Sequence, residues 1–281
     1  MTTELPEQAG LWVCATPIGN LEDVSDRLRA VLASVDVIAC EDTRRTRALL
    51  SALGIAAPRL LSHRLDNERA SVDGVLSVLE SGARVALVSD AGTPGVSDPG
   101  AMLVRAAHDA SIPVHVIAGP SSIAAALSVA GCVAVGHTFV GFLPRSSRDV
   151  QQLLRHHAHE VVVGLESPQR ITSSVQAVAA VQPARRVVIA RELTKLHEEV
   201  LTGDAESIAA QLAQREIRGE VVVVFDALPH EQAVVTPRLL DLVHAIVAEG
   251  VRMKQACRIV AEYAEVSARD LYARMVKSDT E

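Results

Sequence analysis

The chain has 281 residues and a formal net charge of −7, and 49% of it is hydrophobic although only 2% is aromatic. That length accommodates two domains with separate cores, which must be built mainly from Val, Ala, Leu and Ile. No apolar run approaches the roughly 20 residues that span a bilayer, and an acidic balance withholds the basic footprint usual in nucleic-acid binders.

The polar start, Met1-Thr2-Thr3-Glu4, has no signal-peptide pattern, so a cytoplasmic protein without membrane partners is expected. Cys14, Cys40, Cys132 and Cys257 are scattered, which argues against disulfides and zinc.

Residues 11–15 read as the first strand, and Thr16-Pro17-Ile18-Gly19-Asn20 turns out of it. A helix over 26–33 leads to a second strand, 35–40, which delivers Glu41-Asp42-Thr43-Arg44 at its end. A helix over 46–53 stops at Gly54, a usual terminator. A short strand over 60–63 and a helix reaching 80–82 follow. Residues 85–88 have the β-branched, apolar character of a buried parallel strand.

That strand feeds Ser89-Asp90-Ala91-Gly92-Thr93-Pro94-Gly95-Val96-Ser97-Asp98-Pro99-Gly100, a loop with three glycines, two prolines and two aspartates. Plain strand-to-helix turns need about 2–6 residues, so this loop is expected to be shaped for a ligand. A helix over 101–107, a strand over 114–117 and an alanine-rich helix over 123–130 complete the first part. The βα alternation predicts a mainly parallel sheet with ligands at the carboxyl ends of its strands.

Near 136–150 the pattern shifts into a second unit, with strands at 139–143, 161–165, 186–190 and 220–225 and helices near 170–181 and 204–214. From Pro237 onward only helices are expected, over 238–249, 253–263 and 267–276, with Ser267 as an N-cap. The last two have helix-turn-helix proportions, which plain helical caps share. The expected divisions are 1–136, 137–230 and 231–281.

None of the strand-end loops is a P-loop or a Gly-x-Gly-x-x-Gly turn, which disfavours ATP and NAD. Their backbone N–H groups and hydroxyls suit a polar cofactor with an adenosine end. Glu41-Asp42-Thr43-Arg44-Arg45 is either a capped helix start or a site where guanidinium groups hold phosphate and a carboxylate accepts a proton. Arg191-Glu192-Leu193-Thr194-Lys195 is either a solvated hairpin or a cleft edge. His156-His157-Ala158-His159 reads as a solvated helix end, and no metal site is expected.

Several motifs occur in order: Thr16-Pro17-Ile18-Gly19-Asn20-Leu21, Glu41-Asp42-Thr43-Arg44, the Asp90 loop and Gly119-Pro120-Ser121. Gly141-Phe142-Leu143-Pro144, Glu166-Ser167-Pro168, Arg191-Glu192-Leu193-Thr194-Lys195 and Gly219-Glu220 follow. Over roughly residues 11–225 the chain thereby resembles the ribosomal RNA small-subunit methyltransferase I family, a branch of the tetrapyrrole-methylase (class III) superfamily.

The resemblance implies two α/β domains with S-adenosylmethionine in the cleft between them, and a small C-terminal helical segment. It implies a homodimer acting on 16S rRNA or the small ribosomal subunit, with the 2′-hydroxyl of a cytidine as methyl acceptor. By the same resemblance Pro17, Asp90, Ala91, Gly92, Thr93, Pro94, Ser121 and Ser122 face the cofactor from the first domain. Leu165, Glu166, Leu193 and Gly219 approach it from the second. Glu41, Asp42, Arg44 and Lys195 are the catalytic candidates: Glu41 or Asp42 accepts the hydroxyl proton, and Arg44 and Lys195 hold phosphate.

The chain departs from the family pattern at Leu165, at Gln169, in His63-Arg64-Leu65-Asp66-Asn67-Glu68 and in a short loop after Pro144. A tetrapyrrole or other small-molecule acceptor, and a non-catalytic RNA-binding assembly factor, remain the competing readings. Between Arg252 and Lys277 six basic residues stand against three acidic ones, which points to a tail that helps dock RNA.

Overall fold

In the computed structural model, which describes residues 9–133, 136–229, 235–264 and 266–278, the chain divides into the units Met1–Ala227 and Leu228–Glu281. The first unit begins with ten alternating elements. They are β1 (Gly10–Cys14), α1 (Asp26–Ser34), β2 (Val37–Cys40), α2 (Thr43–Ala52), β3 (Arg59–Ser62), α3 (Glu68–Glu80), β4 (Arg84–Val88), α4 (Ala101–Asp109), β5 (Val114–Ile117) and α5 (Ser122–Ala130). The five strands form one parallel sheet in the order β3-β2-β4-β1-β5.

Side chains alternate across this sheet with the period of two that a strand imposes. Trp12, Cys14, Ile38 and Val88 pack on one face with Leu28 and Leu32 of α1 and Leu50 of α2. Leu11, Ala39, Val85 and Leu87 pack on the other with Val75 of α3 and Leu103 of α4. The neighbouring strands β1 and β4 therefore send their helices to opposite faces. Such a reversal leaves a crevice outside the strands' carboxyl ends.

The helix expected over 46–53 begins at Thr43 instead. Asp42 occupies its N-cap, and its carboxylate accepts the Arg44 N–H at 2.8 Å. Arg44 and Arg45 consequently lie in the first helical turn rather than in a loop.

The remainder of this unit comprises β6 (His137–Phe142), α6 (Ser147–His156), β7 (Val161–Glu166), α7 (Ile171–Ala179), β8 (Arg186–Arg191), β9 (Glu199–Asp204), α8 (Ala205–Ala213) and β10 (Val221–Phe225). The sheet order is β6-β7-β10-β8-β9, and only the β6–β7 pair is parallel. The sequence reading did not anticipate β9, whose Glu-Val-Leu-Thr-Gly-Asp run lacks an apolar stretch. It survives as an edge strand, pairing with β8 alone and showing no fully buried residue.

Arg185 holds this second layer together. Its side chain is buried, and it donates to the carbonyls of Asp226 (2.7 Å), Leu154 (3.0 Å), His157 (3.2 Å) and Glu160 (3.2 Å). Five guanidinium N–H groups in a fixed fork are what allow one residue to satisfy so many backbone carbonyls.

The second unit consists, among its described residues, of α9 (Pro237–Ala248), α10 (Met253–Ala264) and α11 (Ala268–Ser278). They share a core that includes Val243, Cys257, Val260, Leu271 and Met275. Ser267 accepts the Asp270 N–H at 3.2 Å, as an N-cap should. No helix of the described residues is long and apolar enough to cross a membrane.

Candidate functional site

Three loops lock together at the carboxyl ends of β1, β4 and β5. Thr16 donates its N–H to the Gly92 carbonyl at 2.8 Å and accepts the Gly92 N–H at 3.1 Å, forming an isolated antiparallel bridge. Gly92 turns there with φ of +82°, in the left-handed region that favours glycine. The Thr93 hydroxyl donates to the Pro120 carbonyl at 3.2 Å. At Gly119 a Cβ would lie 3.2 Å from the Ala15 carbonyl oxygen, a tight contact that glycine avoids where the third loop comes in.

These loops form one wall of a cavity of about 440 Å³, within the range of small-molecule sites. Of the expected cofactor residues, Asp90, Ala91, Gly92, Thr93, Ser121 and Ser122 line it from this side. Leu165 and Glu166 at the end of β7, and Gly219 ahead of β10, line it from the second sheet. Pro17 and Pro94 are not among the lining residues, and Leu193 is buried in the apolar cluster that also holds Ile18.

Several lining residues have no individual role in the sequence reading: Ile18, Asp98, Phe142 and Ser167, which lie within the family motifs, Arg45, which ends the Glu41-Asp42-Thr43-Arg44-Arg45 stretch, and Val222, in a predicted strand. Asp98 carried a signal, since it lies in the glycine-rich loop itself. Phe142, one of only three phenylalanines and 63% exposed, carried one too.

The cavity is acidic on one side. Burial, with the nearby charges of Glu41 and Asp90 adding to it, pushes the Asp98 carboxyl up to about 6. Burial and the Asp90 charge also push Glu41 upward. Asp90 itself accepts the Asp42 N–H at 3.0 Å and faces the Arg45 Nε at 3.5 Å.

Asp42 behaves differently. Its oxygens accept Arg44 Nε at 3.2 Å and Nη2 at 2.8 Å, and these hydrogen bonds hold it well below the usual carboxylate range. Asp42 and Arg44 line a second cavity, also about 440 Å³, together with Ser62 and Arg64. Glu41 and Asp90 border both cavities.

Lys195 lines neither of these cavities. Its Nζ donates to Glu192 Oε1 at 2.9 Å and to Glu220 Oε2 at 3.1 Å. Burial opposes its charge, but the hydrogen bonds to Glu192 and Glu220 outweigh that and raise its pKa. Glu192 is held low by the Glu220 backbone N–H and by Lys195. The Lys195 stem also covers Gly19, where an added Cβ would collide with it. Lys195 thus fastens the β8–β9 connection to the loop after β1, and Glu220 carries its influence to the cavity wall.

Glu166 is buried at the cavity floor. It accepts Ser174 Oγ at 2.7 Å and Arg170 Nη2 at 3.0 Å, while Arg170 also donates to the carbonyls of Leu143 (3.1 Å) and Pro144 (2.6 Å). The pair ties the cavity floor to the segment that follows β6. Among the described residues no group of three or more His, Cys, Asp or Glu side chains is placed to hold a metal ion.

Comparison with known proteins agrees with this architecture. The family model for Tetrapyrrole (Corrin/Porphyrin) Methylases matches residues 10–209. A protein from Xylella fastidiosa named ribosomal RNA small subunit methyltransferase I is 39% identical over 268 residues, covering 93% of this chain and 97% of its own. One of the same name from Mycobacterium tuberculosis is 39% identical over 272 residues, covering 95% and 94%. In fold, the chain is similar to uroporphyrin-III C-methyltransferase from Thermus thermophilus, solved in complex with S-adenosyl homocysteine, with a TM-score of 0.55 and 17% identity over 77% of this chain and 96% of that one. With the family model spanning most of its length and such relatives spanning nearly all of it, this chain belongs to the ribosomal RNA small subunit methyltransferase I family of the tetrapyrrole methylases.

Proposed function

We propose that this chain uses S-adenosylmethionine to methylate the 2′-hydroxyl of a cytidine in 16S rRNA, acting as a homodimer on the small ribosomal subunit. The observation that carries the reading is the cavity at the strand ends, with carboxylates on one side and small, backbone-rich loops around it. The relatives' shared name supports RNA of the small subunit as the substrate class.

The cavity fits the cofactor's chemistry. A sulfonium and an ammonium are cations, and Glu41, Asp90 and Asp98 supply negative charge in a partly desolvated site. Ile18, Ile123 and Val222 offer apolar surface for a nucleoside base, and the Ser121 and Ser122 hydroxyls offer partners for a ribose. Asp90, Gly92, Thr93, Leu165 and Gly219 are the residues we assign to holding it. When bound, the cofactor supplies an electrophilic methyl group on a good leaving group.

The protein must then orient the acceptor hydroxyl and take its proton, since a neutral ribose hydroxyl is a poor nucleophile. We assign the proton to Glu41, which borders both cavities and whose raised pKa makes it a stronger base than an ordinary carboxylate. Arg44 and Arg64, at the second cavity, are paired with Asp42 and Asp66, and an incoming phosphate would compete with those carboxylates for their charge. Lys195 positions Glu220 and the loop after β1.

The test is calorimetry with S-adenosylmethionine, followed by transfer of labelled methyl to small subunits from a strain lacking this gene. Label on one cytidine ribose supports the reading. Tight cofactor binding with no label on RNA turns it toward a small-molecule acceptor, and no cofactor binding removes it.

A further inference from the structure

Helix α10 presents two different faces. Ala256, Cys257, Val260 and Ala261 are buried against α9 and α11, whereas Lys254, Gln255, Arg258, Ile259 and Glu262 are exposed. With Arg252, which precedes the helix, these exposed residues line a groove of about 480 Å³. Three cations therefore share one concave surface of a chain whose net charge is −7.

Those cations are also unspent. In the first unit Arg44, Arg84, Arg170, Arg191 and Arg215 each pair with a carboxylate. Among the described residues Arg252, Lys254 and Arg258 pair with none, although Glu262 stands one helical turn beyond Arg258. Ordering three like charges in one groove costs repulsion unless an anion spans them. Ile259 is 48% exposed and Tyr263, four residues further along the same side, is 87% exposed. An exposed aromatic next to the Ile259 edge of a groove lined by three cations matches the way proteins hold single-stranded nucleic acid, with charge on the backbone and a ring beneath a base.

We propose that this face of α10 docks the phosphate backbone of RNA, with Arg252, Lys254 and Arg258 as phosphate contacts and Tyr263 as a stacking platform. Lys254 and Arg258 are one turn apart, about 6 Å along the axis, so they address neighbouring phosphates of one strand. The inference rests on the reading of this chain as an RNA methyltransferase, and it places part of the grip on the substrate in the C-terminal unit. Charge complementarity selects a polyanion, and the exposed tyrosine selects a nucleic acid over an acidic protein.

The experiment uses the full chain and intact small subunits, with binding measured across a salt series. Arg252→Ala, Lys254→Ala and Arg258→Ala combined should weaken binding at least tenfold at physiological salt. The combination should also lower the slope of log Kd against log salt by about two to three, because each phosphate contact releases counterions. Affinity for S-adenosylmethionine and the thermal midpoint should not move, since all three side chains are exposed. Lys254→Arg with Arg258→Lys, which keeps the charges, should retain binding, and Tyr263→Ala should weaken it without changing the salt slope.

Unchanged affinity and slope in the triple variant would overturn the proposal. Weaker binding with an unchanged slope would overturn it too, and would assign the groove to a protein component of the subunit. The two readings fail separately. Methyl transfer by the parent chain with an indifferent triple variant removes the groove alone. A salt-sensitive groove on a chain that transfers no methyl to RNA removes the methylation reading alone.

Discussion

The Asp90 carboxylate accepts the backbone N–H of Asp42 at 3.0 Å, so the loop after β4 also anchors the start of α2. One side chain thereby joins the wall of the strand-end cavity to the start of α2, which carries Arg44 and Arg45 and is preceded by Glu41. A change at Asp90 must register both in cofactor affinity and in the stability of that neighbouring turn.

Asp90→Ala leaves the part-buried Asp42 N–H without its acceptor, at a cost of about 1–3 kcal/mol. In a unit of this size that lowers the melting midpoint by a few degrees. Asp90→Asn keeps an oxygen acceptor in place and should melt near the parent temperature while binding S-adenosylmethionine more weakly. Calorimetry beside a thermal scan separates the two effects. Equal melting losses in both variants would show that charge, not the hydrogen bond, anchors α2.

If S-adenosylmethionine binds in the strand-end cavity, Asp98 should make its affinity depend on pH. Its carboxyl is raised to about 6 in the folded chain, first by burial and then by Glu41 and Asp90. The folded state therefore binds the extra proton more readily than the unfolded chain. The stability this contributes is fully present below the unfolded pKa and is lost as pH rises through about 6. A cationic ligand prefers the ionised carboxylate, so S-adenosylmethionine should bind severalfold more tightly at pH 7.5 than at pH 5. Asp98→Asn should flatten that dependence. A parent chain whose affinity is level across this range would disprove the coupling.

Glu41 and Asp42 are adjacent but should respond differently to loss of charge. Glu41→Gln removes the proposed proton acceptor and one of the carboxylates lining the cavity, so turnover should fall by about 100-fold or more even when both RNA and S-adenosylmethionine are saturating. Asp42 is already engaged by the Arg44 backbone and guanidinium, so Asp42→Asn should mainly loosen the start of α2 and change turnover only severalfold. Single-turnover methyl transfer measures both. Equal losses in the two variants would return the assignment of the base to an open state.

Arg185→Met should be the most destabilising of these substitutions although it lies outside every cavity described. It strips four backbone carbonyls of their donor at once. A loss of at least about 3 kcal/mol is expected, or roughly 6–12 °C in the melting midpoint. Arg185→Lys retains a charge but not the fork, and should recover only part of the loss. A melting curve near the parent's for Arg185→Met would show that water replaces the guanidinium.

Much of this protein is local information, and local information is legible in a sequence. The alternation of short apolar runs with amphipathic stretches specifies the βα order of the first sheet, because side-chain periods of 2 and 3.6 belong to each element by itself. The helical ending and the Ser267 cap follow from the same local rules. Glycine and proline placement marks the Asp90 loop as a shaped turn, and motif order marks the family.

The tertiary structure decided what depends on partners far away in the chain. Pairing direction in the second sheet is set by which strands meet, so its antiparallel pairs and the edge strand Glu199–Asp204 have no signature within their own residues. Asp90 and Asp42 are 48 residues apart, and only folding shows that one caps the other. Glu41 and Asp42 are both acids in sequence; packing alone leaves one raised and bordering the strand-end cavity and the other tied to Arg44. A charge's chemistry comes from its neighbours and its solvent, and those are properties of the fold.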